Sequence, residues 1–170
     1  MVTMPAVSAT PESAAWAALR AVTDPEIPVL SVVDLGLIRH LICHGPGEVE
    51  VGLAPTYSGC PATAVIRDLV IAALHAAGFR QPRVVEVLSP PWTSDWLSAE
   101  GREKLRRLGI APPERAVAAP RALWLDPPAV RCPRCESLDT EELSRFGSTP
   151  CKALHRCNAC REPFEYFKCT

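Results

Sequence analysis

The sequence predicts an α/β (α+β) chain, a small mixed-sheet domain followed by a compact cysteine-rich module. Three observations carry this expectation. Helix-period and strand-period apolar patterns alternate through residues 10–110, as they do where helices pack on a sheet. Five prolines then fall between Ala111 and Pro128 and interrupt any regular period. Beyond them, six of the eight cysteines crowd into residues 131–170, in a stretch with few aliphatic side chains. The expected organisation is a domain over 10–110, a stiff proline-rich linker over 111–130 and a separate module over 131–170.

Thr10-Pro11-Glu12 has the form of a helix start, with Thr10 as cap and Pro11 at the first helical position. Ala15, Trp16, Leu19 and Val22 follow at helical spacing, and the helix should end near Thr23. Asp24-Pro25-Glu26-Ile27-Pro28 cannot continue it, because proline lacks the N–H that the ladder needs. Val29 to Leu37 then reads as an ordered but irregular connection, punctuated by Gly36. Ile38 to Cys43 and Val49 to Leu53 are β-prone runs flanking His44-Gly45-Pro46-Gly47, which predicts an antiparallel hairpin. Ala62, Val65, Ile66, Leu69, Ala73 and Ala77 mark one face of a central helix that Gly78 stops. The valine-rich run from Arg83 to Leu88 should return to the same sheet by a crossover. Ser98 to Leu108 gives a last helix, its acidic Glu100 and Glu103 early and basic Arg106 and Arg107 late, as the helix dipole favours.

A chain of 170 residues accommodates one ordinary core plus a small appendage. With 48% hydrophobic and 22% charged residues it has the composition of a folding sequence. Eighteen basic against nineteen acidic side chains leave a net charge of −1, so no global field draws it to nucleic acid or an anionic membrane, and neither is expected as a partner. The longest apolar stretch, Ala62 to Phe79, is broken by Arg67, Asp68 and His75, short of a membrane span. Met1 to Trp16 lacks the basic residue that precedes the apolar run of a signal peptide. The expected location is cytoplasmic, where paired cysteines bind metal or do redox work more often than they form disulfides.

Cys132-Pro133-Arg134-Cys135 and Cys157-Asn158-Ala159-Cys160 are separated by twenty-one residues, near the spacing of a two-knuckle zinc site. Each short turn points two thiolates at one centre, and two turns complete a tetrahedron with no open position for chemistry. That closure predicts structural Zn²⁺, with an iron–sulfur cluster as the rival, since it too uses four thiolates. So short a segment cannot bury enough apolar surface alone, and the metal should supply much of its folding energy.

The other cysteines leave two readings each. Cys151 lies in a turn beside Lys152, which would favour a thiolate, or it is a buried core thiol. Cys169, beside Lys168 near the terminus, reaches a metal or partner, or is idle. Cys60 precedes Pro61 at the expected start of the central helix, where unpaired N–H groups stabilise a thiolate. It is either a reactive or metal-transferring thiol or a small buried residue. Cys43 is expected in the core, and His155 is a spare ligand that four cysteines leave unneeded.

Asp24-Pro25-Glu26-Ile27-Pro28-Val29, Val33-Asp34-Leu35-Gly36-Leu37 and Thr56-Tyr57-Ser58-Gly59-Cys60-Pro61-Ala62 resemble the MIP18/DUF59 family of iron–sulfur assembly factors. With the Cys-Pro-Arg-Cys turn, Phe146 to Leu154 and Glu162 to Cys169, nearly the whole chain resembles a bacterial family of phenylacetate-degradation accessory proteins that couples such a domain to a zinc ribbon. Pro150 departs from that pattern, where a small residue is expected. The resemblance implies a non-catalytic accessory to phenylacetyl-CoA epoxidase, a multicomponent monooxygenase, with its oxygenase and reductase components as partners. It implies structural Zn²⁺ on Cys132, Cys135, Cys157 and Cys160, with Cys60, joined by Cys151 or Cys169, as the candidate transient holder of iron or an iron–sulfur cluster and Asp24 and Glu26 as its acidic motif.

A second expectation makes the chain a structural component that docks on the oxygenase, with the ribbon and exposed Trp92 or Trp96 as contacts. Nucleic-acid binding suits a ribbon but not the charge balance. Direct catalysis is disfavoured, because no Ser/His/Asp arrangement, phosphate-binding glycine loop or open histidine-rich site stands out.

Overall fold

The computed structural model describes residues 10–56, 59–113 and 130–168. The chain opens with helix α1 (Pro11–Ala21), whose cap Thr10 accepts a hydrogen bond from the Ser13 N–H at 3.2 Å. Strands β1 (Ile38–Gly45) and β2 (Glu48–Leu53) form the expected antiparallel hairpin. Helix α2 (Ala62–Ala76) crosses over to β3 (Gln81–Glu86), which lies parallel to β2 and begins two residues before the predicted run. The first sheet therefore has the order β1-β2-β3.

Period-two alternation sends Val49, Val51 and Leu53 to one face of β2, where they are buried with Ala15 and Leu19 of α1 and Ile66, Val70 and Leu74 of α2. This is the main core. The irregular segment before β1 joins it through Leu30, Val32, Leu35 and Leu37. Gly36, at φ 67°, lies so close to the Trp96 backbone that any Cβ would collide with its carbonyl oxygen, so only glycine fits.

A 3-10 turn at Ser94–Trp96, which no sequence signal announced, leads to α3 (Ala99–Arg107). Ser98 caps α3 by accepting the Gly101 N–H at 2.8 Å. Buried Asp34 ties α3 to the irregular segment, accepting from the Ser98 hydroxyl at 3.1 Å and from Lys104 Nζ at 2.8 Å. It also accepts from the Ser31 N–H at 3.0 Å and hydroxyl at 2.8 Å.

Ile110 and Ala111 form β4, which pairs in parallel with β7 (Pro163–Phe167). With β6 (Lys152–Cys157) and β5 (Thr140–Ser144) they make a second sheet in the order β4-β7-β6-β5. Ala111, the first residue of the expected linker, pairs in β4, and Cys151 and Phe167 of the cysteine-rich module are buried in the main core. Phe167 meets Trp92 edge-to-face at 6.1 Å, and the Trp92 indole N–H donates to the Leu35 carbonyl at 2.8 Å. The remainder of the expected linker, residues 114–129, lies outside the described residues.

Candidate metal centre and acidic cleft

Two knuckles of the same construction frame the four-cysteine centre. In the first, the Cys132 N–H donates to the Ser137 carbonyl at 2.9 Å and the Glu136 N–H donates back to the Cys132 carbonyl at 3.0 Å. In the second, the Cys157 N–H donates to the Glu162 carbonyl at 3.0 Å and the Arg161 N–H to the Cys157 carbonyl at 2.9 Å. Glu136 and Arg161 occupy equivalent places and both adopt positive φ, 62° and 66°. Those left-handed residues are strained for non-glycine side chains, and each closes the turn that swings its two sulfurs inward.

All four sulfurs lie within 4.8 Å of one another. Cys132 and Cys160 Sγ are 3.8 Å apart and Cys135 and Cys157 Sγ 3.5 Å. A tetrahedron with metal–sulfur bonds of about 2.3 Å has edges of about 3.8 Å, so the donor set fits a single ion with every position filled. A multi-iron cluster needs its thiolates spread around several irons, and this site is too tight for that. The Cys160 N–H points at Cys157 Sγ from 3.5 Å and draws that thiol down to about 7. Cys132 and Cys157 are also core residues, buried with Ala111, Val130 and Phe164 in a second apolar cluster. His155 is not a ligand in this arrangement: it lies buried between Phe164 and Tyr166, at ring distances of 5.7 and 5.5 Å.

A second constellation forms where α2 begins. Pro61 already has helical φ and ψ, and the Cys60 carbonyl accepts the Thr63 N–H at 3.1 Å, so Cys60 stands at the helix entrance. It lines a small cleft with Asp24, Thr56, Thr63, Leu53 and Ile66. Tyr57 and Ser58 of the same motif lie outside the described residues. Asp24 is held by its own turn: its N–H donates to the Leu30 carbonyl at 2.8 Å, and its Oδ1 accepts from the Glu26 and Ile27 N–H groups at 2.7 and 2.8 Å. The turn thereby sets where Glu26 points.

Glu26 faces the ribbon. The Cys151 thiol donates to Glu26 Oε2 at 3.8 Å and lies 3.1 Å from Thr149 Oγ1. Of the two readings of Cys151, the buried thiol is the one the fold favours: Lys152 does pull toward the thiolate, but it is outweighed. Burial pushes the Cys151 thiol up; the Thr149 hydroxyl and Lys152 pull it down, and the Glu26 and Asp24 charges add to the burial, which prevails. Lys152 is itself committed elsewhere, buried and paired to Glu165 Oε2 at 2.9 Å. Cys43 is half-buried against the main core as expected, and Cys169 lies outside the described residues.

Trp92 is buried, which removes it from any exposed contact surface, and Trp96 is half-buried with the Arg39 guanidinium 3.2 Å over its ring. Sequence reasoning missed the partners Thr149 and Glu165 on the ribbon side of this site, and the strand Lys152–Cys157, which does not alternate apolar and polar residues, offered no signal for them.

The fold and the two sites define a class: an iron–sulfur assembly domain fused to a zinc ribbon. Residues 12–88 match the family described as iron-sulfur cluster assembly protein, and residues 118–168 match the PaaD zinc beta ribbon domain. The chain is 49% identical over 154 residues to an Escherichia coli (strain K12) protein named as a "Putative 1,2-phenylacetyl-CoA epoxidase" component, covering 91% of this chain and 90% of that one. It belongs to that protein's family, the PaaD family. The N-terminal part is also 35% identical over 82 residues to the Bacillus subtilis (strain 168) Fe-S protein maturation auxiliary factor YitW, covering 48% of this chain and 79% of that one. A DUF59 domain of unknown function from Bacillus anthracis shares the fold, at a TM-score of 0.52 and 27% identity over 56% of this chain and 91% of that one. Among the described residues, no helix is long and apolar enough to cross a membrane.

Proposed function

We propose that this chain is a non-catalytic, cytoplasmic accessory protein that helps mature the iron centres of a phenylacetyl-CoA epoxidase, with that enzyme's oxygenase and reductase components as its clients. In this reading residues 10–110 form the cargo-handling domain, 131–170 the ribbon, and the ribbon's ion is zinc. Zinc there supplies cross-linking alone, because four thiolates leave no coordination position open.

The observation that carries the proposal is the placing of Cys60 and Asp24 in one cleft while Glu26, two residues on, meets Cys151 of the ribbon. Iron or a small cluster is the cargo. A soft sulfur from Cys60 and a hard carboxylate oxygen from Asp24, with Glu26 two residues on, would give a mixed donor set once brought together on the cargo, and such a set accepts iron without the closure that would trap it. The Asp24 turn fixes its own carboxylate at the cleft, while the Glu26 carboxylate is turned to Cys151 of the ribbon. Cys151 and Cys169 are the ribbon's candidate contributors.

The test is iron occupancy of the client. Cells carrying Cys60→Ala should yield epoxidase of normal subunit composition with its iron content reduced several-fold. Unchanged iron, together with stable co-purification at fixed stoichiometry, would instead assign the chain a structural docking role on the oxygenase.

A further inference from the structure

The hairpin of β6 and β7 joins the two sites as a lever. At its closed end lies the second knuckle, Cys157 to Cys160. At its open end Lys152 pairs with Phe167, and Cys151 and Phe167 enter the main core. The two ends are separated by roughly 17 Å, the rise of five residues of strand. Ribbon and domain meet at this open end: Cys151 on Glu26, Phe167 on Trp92, and β7 on β4.

The open end is held from within the ribbon. Glu165 Oε1 accepts the Ser148 N–H at 2.7 Å while its Oε2 holds buried Lys152, and the Lys168 N–H donates to the Cys151 carbonyl at 3.0 Å. Every one of these bonds needs β6 and β7 in register. At the closed end the Cys157 N–H donates to the Glu162 carbonyl and His155 packs between Phe164 and Tyr166, and what a bound ion adds is the tie from this knuckle to the first. Among the described residues, the second apolar cluster contains only five buried members, two of them the ligands Cys132 and Cys157.

We infer that occupancy of the four-cysteine centre governs whether Cys151 stays sealed against Glu26, so that the ribbon is a metal-responsive latch on the domain. With the ion bound, the hairpin is rigid and the thiol is shut in the core. With the ion gone, β6 and β7 lose register, Phe167 leaves Trp92 and Cys151 opens to solvent. The domain itself persists, since Val49, Val51, Leu19 and Leu74 pack without help from the ribbon. This coupling holds whether or not iron is the cargo.

The experiment uses the full chain, stripped with a divalent-metal chelator, the loss verified by elemental analysis. Alkylation of Cys151 by iodoacetamide is followed by peptide mass spectrometry, and amide hydrogen exchange over Val49 to Leu53 reports the domain. Alkylation of Cys151 should accelerate at least tenfold on metal loss and slow again on adding zinc, while the β2 amides stay protected. Cys151 remaining protected after verified metal loss would overturn the latch. So would opening of Cys151 and the β2 amides together, which would mean that the whole chain unfolds rather than the hairpin alone.

Discussion

The ribbon centre and the acidic cleft both present cysteines, the one to each other and the other beside carboxylates, and they are built in opposite ways. In the ribbon, four sulfurs converge within 4.8 Å on two turns whose backbone hydrogen bonds match one for one. On the domain side, Cys60 shares a cleft with Asp24, while Cys151 meets Glu26 of the same turn from the ribbon, so the two thiols come from different elements and do not converge. A closed tetrahedron retains its ion, whereas a half-open mixed site can pass one on. The difference teaches that the number of cysteines says less than how each backbone presents them.

Removing a ribbon ligand strains this contrast most severely. Cys157→Ser should abolish stoichiometric metal binding, collapse the second sheet and lower the melting temperature by more than about ten degrees, read by elemental analysis and circular dichroism. The next effect in size lies at the joint. Phe167→Ala leaves a cavity against Trp92 and should cost about 3–5 kcal/mol, measured by denaturant unfolding, with tryptophan fluorescence shifting to the red.

Asp34 gives a smaller and pH-dependent effect on the domain side. Burial pushes its carboxyl up, but Lys104, the Ser31 N–H and hydroxyl and the Ser98 hydroxyl together hold it below its ordinary 3.8. A carboxyl depressed on folding contributes stability that is complete well above pH 3.8 and is lost as pH falls below that value. Asp34→Asn should therefore cost about 2 kcal/mol at pH 7 and flatten the acid limb of the stability profile below about pH 4. The smallest effect on stability belongs to the cleft: Cys60→Ala should change unfolding free energy by under about 1 kcal/mol and leave ribbon metal intact, separating cargo handling from fold.

Much of the fold was legible because its signals are local. Thr10 and Ser98 cap the helices that follow them, and the glycine-containing turn between the first two strands makes the hairpin. The four ribbon ligands were legible for the same reason, since each knuckle is a few residues long. The joint was not. Cys151 and Glu26 are 125 residues apart, and Trp92 reaches the Leu35 carbonyl over 57. No periodicity in either segment encodes the other. The proline run concealed a further point: Ile110 and Ala111 are too short a strand to show a period, and they exist only because β7 offers them an edge. Of the two readings of Cys151, the structure favours the buried thiol, because the adjacent lysine turns to Glu165 once β6 forms and burial dominates.

A closed structural ion in the ribbon and a transient cargo in the cleft are tested most directly by elemental analysis of the anaerobically purified chain, with a visible spectrum on the same sample. About one zinc per chain and no visible band are expected. Iron with sulfide and a visible band, lost together on Cys157→Ser, would contradict this and make the four-cysteine centre the cluster carrier.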